Sequence, residues 1–274
     1  MNNVYKFLPT ERLSYLSDEL LRFTQPFALN DPFECLPAIS DSIIRALIIE
    51  SNSQPFPKIE LPDWFTRKEK RARIRAAHKH VRRMDSIRLN EPDRYRQAFY
   101  RQLRLAQENV GIFSVSRRWN SSLMWAHYAN SHSGICVGFD RLHSFFVRDN
   151  QITKSFMPLT AVKYSENRAQ VTDTSHNINA MIENLTTKSI DWAYEEEERL
   201  IITSNQAACT NRATIGAPVF LFKVPHTAIT EIILGANSST ETTNCTREFA
   251  AKLGIPLYQC KTSNSSFNLD RTQI

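Results

Sequence analysis

Glycine is scarce: six residues in 274, at Gly111, Gly134, Gly138, Gly216, Gly235 and Gly254. From these positions neither a GxGxxG nor a GxxxxGK[ST] pattern can be assembled, which argues against the phosphate-cradling loops of dinucleotide and P-loop folds. The five cysteines (Cys35, Cys136, Cys209, Cys245, Cys260) are odd in number and widely spaced. That spacing argues against a disulfide framework and against a CxxC zinc or redox site. Long apolar runs are missing as well: no stretch approaches the roughly 18 residues that a membrane span needs. The opening Met1-Asn2-Asn3-Val4-Tyr5 has no apolar segment behind a basic one, so the expectation is a cytoplasmic protein without membrane contact. With 42% hydrophobic residues, the chain is long enough to bury a sizeable core without staples.

The formal charge of +6 is unevenly placed. Between Arg67 and Arg104 fourteen Lys or Arg face four acids, a local +10, which leaves about −4 for the remainder. The basicity therefore belongs to one segment.

Patterning predicts mixed α and β structure. Strands are expected at Val4–Phe7, Leu21–Thr24, Ile112–Ser116, Gly134–Asp140, Leu159–Tyr164, Arg199–Thr203, Val219–Lys223, Glu231–Leu234 and Pro256–Cys260. Helices are expected near Thr10, at Asp41–Glu50, Leu123–Asn130, Asn177–Trp192 and Thr240–Leu253. Asn30-Asp31 followed by Pro32 reads as a capped helix start. Pro55, Pro57 and Pro62 mark an extended linker over Ser51–Pro62. Beyond it, Ile74, Ala77, Val81 and Met84 form one helical stripe, and Tyr95, Phe99, Leu103 and Ala106 form a second behind Pro92. The last fourteen residues read as frayed. The expected fold class is α+β, a single domain over 1–274 with a central mixed or antiparallel sheet, interrupted at 63–110 by a basic helical hairpin.

Three clusters mix aromatic and polar side chains more densely than packing alone requires: Asn30 to Glu34, Met124-Trp125-Ala126-His127-Tyr128-Ala129, and Trp192 through Arg199. Together they resemble a large, little-characterised bacterial family known as a domain of unknown function, whose marks are NDPFE, MWAHYA-x-x-H-x-G-I-C and W-x-YE-x-E-x-R. The second mark continues through His132, Gly134, Ile135 and Cys136. The resemblance runs from Tyr5-Lys6-Phe7 to about Gly235, interrupted by the basic segment. It implies an association with phage defence and abortive infection, a toxin-type role, and a neighbouring antitoxin or defence-system protein as partner. The order of the motifs also resembles a remote ADP-ribosyltransferase arrangement: an aromatic or basic residue on the first strand, a serine-bearing strand, and a late glutamate.

That comparison implies NAD as co-substrate, with Glu197 the principal acid and Glu195 and Ser114 as further catalytic candidates. Tyr5, Lys6, Asn30, Asp31, Ser116, His127 and Tyr128 are then candidates for holding the dinucleotide. The chemistry is coherent, because loss of nicotinamide passes through an oxocarbenium-like state that a positioned carboxylate stabilises. Strand alternation puts Ser114 and Ser116 on one face and Phe113 and Val115 on the other. If the chain is extended from Glu195, then Glu195, Glu197 and Arg199 align too. Lys6 stands where the transferase pattern has Arg or His, which puts the dinucleotide anchor in doubt.

Plainer readings compete. Glu195 to Glu198 also fits a solvated helix end with Arg199 as ion-pair partner; the serines fit ordinary strand hydroxyls; Trp125, Tyr128, Trp192 and Tyr194 fit core volume; Asn30 and Asp31 fit caps. His127 and His132 are five apart and no HExxH exists, so no metal is expected. Arg71, Arg75, Lys79, Arg82 and Arg83 are candidates for nucleic-acid binding through counterion release, against a merely solvated helix pair or one that docks an acidic protein. Two functions remain open: an NAD-consuming transferase acting on nucleic acid or a bound protein, and a non-enzymatic ligand sensor that contacts nucleic acid or a partner through the arm. A nuclease ranks third, for want of a metal-binding carboxylate cluster.

Overall fold

The computed structural model describes residues 3–53, 66–90, 92–147, 156–172, 178–211 and 219–274. The chain divides into two compact units, one built from 1–35, 106–167 and 185–274, the other from 36–105 and 168–184.

The first unit is organised by an eight-stranded sheet. With strands numbered along the chain, its order is β13 (Leu269–Gln273), β12 (Leu257–Thr262), β11 (Ile229–Leu234), β4 (Ile135–Asp140), β1 (Asn3–Leu8), β3 (Val110–Ser116), β8 (Glu197–Thr203) and β5 (Phe156–Ala161). Neighbours are antiparallel except β11 and β12, which run parallel and are joined through helix α7 (Thr240–Leu253). The fold class is thus α+β with a mixed sheet. Ser239 caps α7 by accepting from Thr242 N at 3.1 Å, and Gly254 at φ +67° closes it, the usual division of labour between helix ends.

Alternation along the strands sorts the core. Val4, Leu8, Phe113, Val115, Val137, Phe139, Leu200 and Ile202 face one side, where Tyr15, Phe23, Phe146 and Phe222 complete an aromatic-rich layer. Tyr5, Phe7, Cys136, Ile233 and Cys260 face the other, covered by Met124 and Trp125 of α5 (Ser122–Tyr128). Phe7 meets Trp125 edge-on at 5.2 Å. Two small sheets flank the large one: β2 (Leu20–Phe23) with β10 (Val219–Lys223) and β9 (Cys209–Asn211), and β6 (Lys163–Ser165) with β7 (Thr187–Ser189).

The second unit is largely helical. α2 (Asp41–Ser53) packs against α3 (Arg67–Asn90). Ile39, Ile44 and Ile48 gather Tyr95, Phe99 and Tyr100 from α4 (Pro92–Gln107), so these rings are packing groups. The expected pair of basic helices is present as α3 and α4. Pro55, Pro57 and Pro62 of the expected linker lie outside the described residues.

Three expectations are corrected. The run Asn30 to Glu34 is a turn, because Asp31 Oδ1 accepts from Phe33 N at 2.8 Å and closes the chain locally without a following helix. The expected helix to Trp192 ends at Thr186, where β7 takes over and a 3-10 turn covers Ile190–Glu195. The chain end is strand: β13 pairs with β12 from Leu269 to Gln273. No helix among the described residues is long and apolar enough to cross a membrane.

Candidate functional site

Strands β1 and β3 touch at a single register pair, Tyr5 opposite Ser116, whereas β1 follows β4 through six pairs and β3 follows β8 through seven. Past that point β1 and β3 separate. Lys6 spans the gap, its Nζ donating to the carbonyl of Ser114 at 2.7 Å in place of a backbone rung. A cavity of about 390 Å³ opens at this split, lined by β1, β3 and β8 together with Arg22, Thr24, the segment Ala28 to Asn30, Glu34, His127, Tyr128 and Lys188.

The acidic run is drawn inward. Glu195, Glu197, Glu198 and Arg199 are all buried, so the solvated-face reading does not hold for them. Glu195 ends the 3-10 turn and is not on the strand. Glu196 adopts φ +43°, and β8 starts at Glu197. That left-handed step sets the two carboxylates on either side of Lys188, whose Nζ lies 2.6 Å from Glu195 and 3.2 Å from Glu197. Arg199, fully buried, donates to Glu197 through Nε at 2.8 Å and Nη2 at 3.0 Å and also binds Glu34. Its Nη1 donates to the carbonyl of Leu185 at 2.7 Å. Glu34 is 3.6 Å from Lys188.

The environments push the two late glutamates apart. Burial raises the carboxyl of Glu195, reinforced by the charge of Glu197 and opposed by Lys188 and by a hydrogen bond from Tyr128; the net shift is upward. Burial would raise Glu197 too, but the charges of Arg199 and Lys188 and hydrogen bonds from Arg199 and Ser114 outweigh it and hold it below the ordinary carboxylate range. One acid is therefore a fixed anion and its neighbour is the more basic, proton-accepting one, the arrangement that lets two carboxylates take different roles. Lys6 is lowered to about 8 by burial, partly offset by Glu197 and Glu195.

The sequence candidates are placed differently. Lys6, Ser114, Tyr128, Glu195 and Glu197 converge on the cavity with functional atoms engaged there. The Ser114 carbonyl accepts from Lys6, and Tyr128 donates to Glu195 Oε1 at 2.7 Å while accepting from Asn30 at 3.3 Å. Tyr5, Ser116 and Asp31 have their polar atoms engaged in the frame. The Tyr5 hydroxyl is turned to Glu231 at 2.9 Å, although the residue lines the cavity. Ser116 donates to the Glu195 carbonyl at 2.6 Å and accepts from Arg118 N at 3.0 Å, which uses its hydroxyl to place Glu195. Asp31 is spent on Phe33 N and on Trp192 Nε1 at 2.9 Å. His127 lines the cavity mouth beside Tyr128 and Tyr194. Arg71, Arg75 and Lys79 are exposed on α3; the side chains of Arg82 and Arg83 lie outside the described residues.

Four charged lining residues were not among the candidates: Arg22, Glu34, Lys188 and Arg199. Glu34 and Arg199 stand inside quoted motifs, Glu34 between Phe33 and Cys35 and Arg199 as the one cation closing a run of four glutamates, which is a signal. Lys188 carried none, because it fell inside an expected helix. The rest of the second motif is backbone geometry. Asn130, Ser131 and His132 all have positive φ, and a Cβ at Gly134 would come within 2.2 Å of the Leu8 carbonyl. Among the described residues no group of three or more His, Cys, Asp or Glu is placed to hold a metal ion.

Residues 124–200 match the model of a family described as a protein of unknown function (DUF2971). The match takes in α5, Lys188, both late glutamates and Arg199, and leaves β1 and Asn30 to Glu34 outside it; it supports a tie to an uncharacterised domain-of-unknown-function family. No curated protein and no solved structure matches the chain.

Proposed function

We propose that this protein is an NAD-dependent, ADP-ribosyltransferase-like enzyme of a toxin or phage-defence type that modifies nucleic acid or a bound protein. The observation that carries the reading is the cavity at the β1–β3 split, where Glu195 and Glu197 share Lys188 and are shifted in opposite directions. In such a reaction the bond between the ribose C1′ and the nicotinamide nitrogen breaks, and nicotinamide leaves with the electron pair. The acceptor's oxygen or nitrogen attacks C1′, and its proton passes to a base. Glu195 suits the base, because its raised affinity for protons and its contact with the Tyr128 hydroxyl favour proton transfer. Glu197, locked by Arg199 and Lys188, suits electrostatic support of the cationic transition state. This reverses the emphasis that motif order places on Glu197. Lys6 and Ser114 position that pair.

The test is nicotinamide release from NAD by the purified chain, with nucleic acid or protein as acceptor. Glu195→Gln keeps the Tyr128 and Lys188 contacts in part and is expected to lower turnover by roughly 10²-fold or more with the unfolding transition retained. Equal turnover in wild type and Glu195→Gln removes the role assigned to it.

A second reading is favoured by the full engagement of Arg199: a binding module whose cavity senses a ligand, with α3 contacting nucleic acid or a partner protein. It predicts ligand-induced thermal stabilisation without product.

A further inference from the structure

The cavity's charges nearly cancel. Its lining acids are Glu34, Glu195 and Glu197, and against them stand Lys6, Lys188 and Arg199. Each of those three cations has a bonded partner: Ser114 for Lys6, the two late glutamates for Lys188, and Glu197 with Glu34 for Arg199. Arg22 is the fourth cation and the exception. It has no ion-pair or hydrogen-bond partner among the described residues, and its Nε is closed to water and unpartnered.

Its placement follows from strand alternation. Leu21 and Phe23 of β2 enter the aromatic core, so Arg22 and Thr24 turn to the opposite side, where both line the cavity. Burial and the nearby charge of Arg12 both lower the guanidinium's proton affinity, a cost that no carboxylate offsets. A half-buried, unpaired guanidinium on a cavity wall is a donor fork awaiting an anion. Opposite in chemistry is Glu34, whose side chain is 1% exposed. Both its cationic partners approach Oε1, and Oε2 has no partner among the described residues. An unsatisfied buried carboxylate oxygen calls for a hydroxyl, amide or amine donor.

We infer that the cavity takes a phosphorylated, nucleotide-like ligand, with Arg22 as the anchor of its phosphate and Glu34 as acceptor for a hydroxyl or amine of the same molecule. A phosphate is favoured over a carboxylate because Arg22 stands with Lys6 on a lining of four cations against three acids, so the unpaired fork carries the cavity's surplus positive charge. The volume of about 390 Å³ falls in the range of ordinary ligand pockets. This assignment builds on the transferase reading by naming the class of molecule held, and its test needs no turnover.

Calorimetric titration with ADP-ribose, adenosine, glucuronate and inorganic pyrophosphate tests it, using wild type, Arg22→Gln, Arg22→Lys and Arg12→Gln with unfolding transitions matched. Wild type is expected to bind ADP-ribose, and Arg22→Gln to weaken that binding by roughly ten- to hundredfold. Adenosine binding stays unchanged in the same variant, Arg22→Lys keeps most of the affinity, and Arg12→Gln, off the cavity, stays within about twofold. Glucuronate bound more tightly than ADP-ribose, equal ADP-ribose affinity in wild type and Arg22→Gln, or no binding of either ADP-ribose or pyrophosphate by wild type overturns it. ADP-ribose binding through Arg22 without nicotinamide release fails the transferase reading and leaves this one standing; NAD turnover with KM unchanged in Arg22→Gln does the reverse.

Discussion

At the scale of single residues, Arg199 determines whether the cluster holds together. It neutralises Glu197 and Glu34 from a fully buried position and also ties down the carbonyl of Leu185. Replacing it with Met strands two buried carboxylates, and urea denaturation is expected to show a loss of about 3–5 kcal/mol. Lys6 gives a separate signature in pH. Its folded value of about 8 lies below the ordinary 10.5, so the unfolded chain binds more protons between those values and stability contributed by this group rises with pH there. Tyr5, raised from 10.0 to about 12 by burial and by Glu231, works the other way above its ordinary value. The window is therefore about pH 8 to 10, and Lys6→Met is expected to flatten the rise in denaturation midpoint across it. Glu197 acts at the acid end: depressed in the fold, it contributes stability above the ordinary carboxylate value of 4.5 that is lost as pH falls through the folded value.

At the scale of elements, turns and strand ends carry what the run Met124 to Cys136 encodes. The Gly134 turn lies against Leu8, where a Cβ has no room, so Gly134→Ala is expected to cost about 3 kcal/mol or more because backbone must move. Gly254, left-handed but with open space around it, is expected to cost only about 1–2 kcal/mol on the same change. Thermal unfolding of the two variants checks the contrast. The C-terminal strand has its own lock: Arg271 donates to Glu231 at 2.7 Å and lies over the rings of Trp119 and Tyr258.

Most of the sheet was legible from patterning because strands such as Val110–Ser116 and Ile135–Asp140 are continuous apolar runs between turn signals. β13 was not, since Leu269–Gln273 is polar apart from Leu269 and gains order from Arg271 and from pairing with β12. The helix expected through Trp192 failed for a related reason. Its residues carry a helical pattern, but burial of Lys188 between Glu195 and Glu197 fixes Thr187–Ser189 as strand. Glu195 and Glu197 were visible as candidates through the resemblance of the motif order to transferases. Their opposite shifts in proton affinity were not, because they depend on Arg199, Lys188 and Tyr128 arriving from separate segments.

At the scale of the whole molecule, charge is segregated: the segment Arg67 to Arg104 holds +10 while the rest sums to about −4. Arg71, Arg75 and Lys79 are exposed on α3. If nucleic acid is the partner of that helix, affinity falls steeply with salt, and the triple change of these three to Gln is expected to lower the log–log salt slope by up to about 2.7. An unchanged slope assigns the helix to another partner. The proposed chemistry of the molecule turns on two neighbouring carboxylates that ionise differently. Side-chain carbonyl NMR titration of the full chain, assigned through Glu195→Gln and Glu197→Gln spectra, measures this directly. Glu195 is predicted to titrate above 4.5 and Glu197 below it; both carboxyls titrating together in the ordinary range contradicts it.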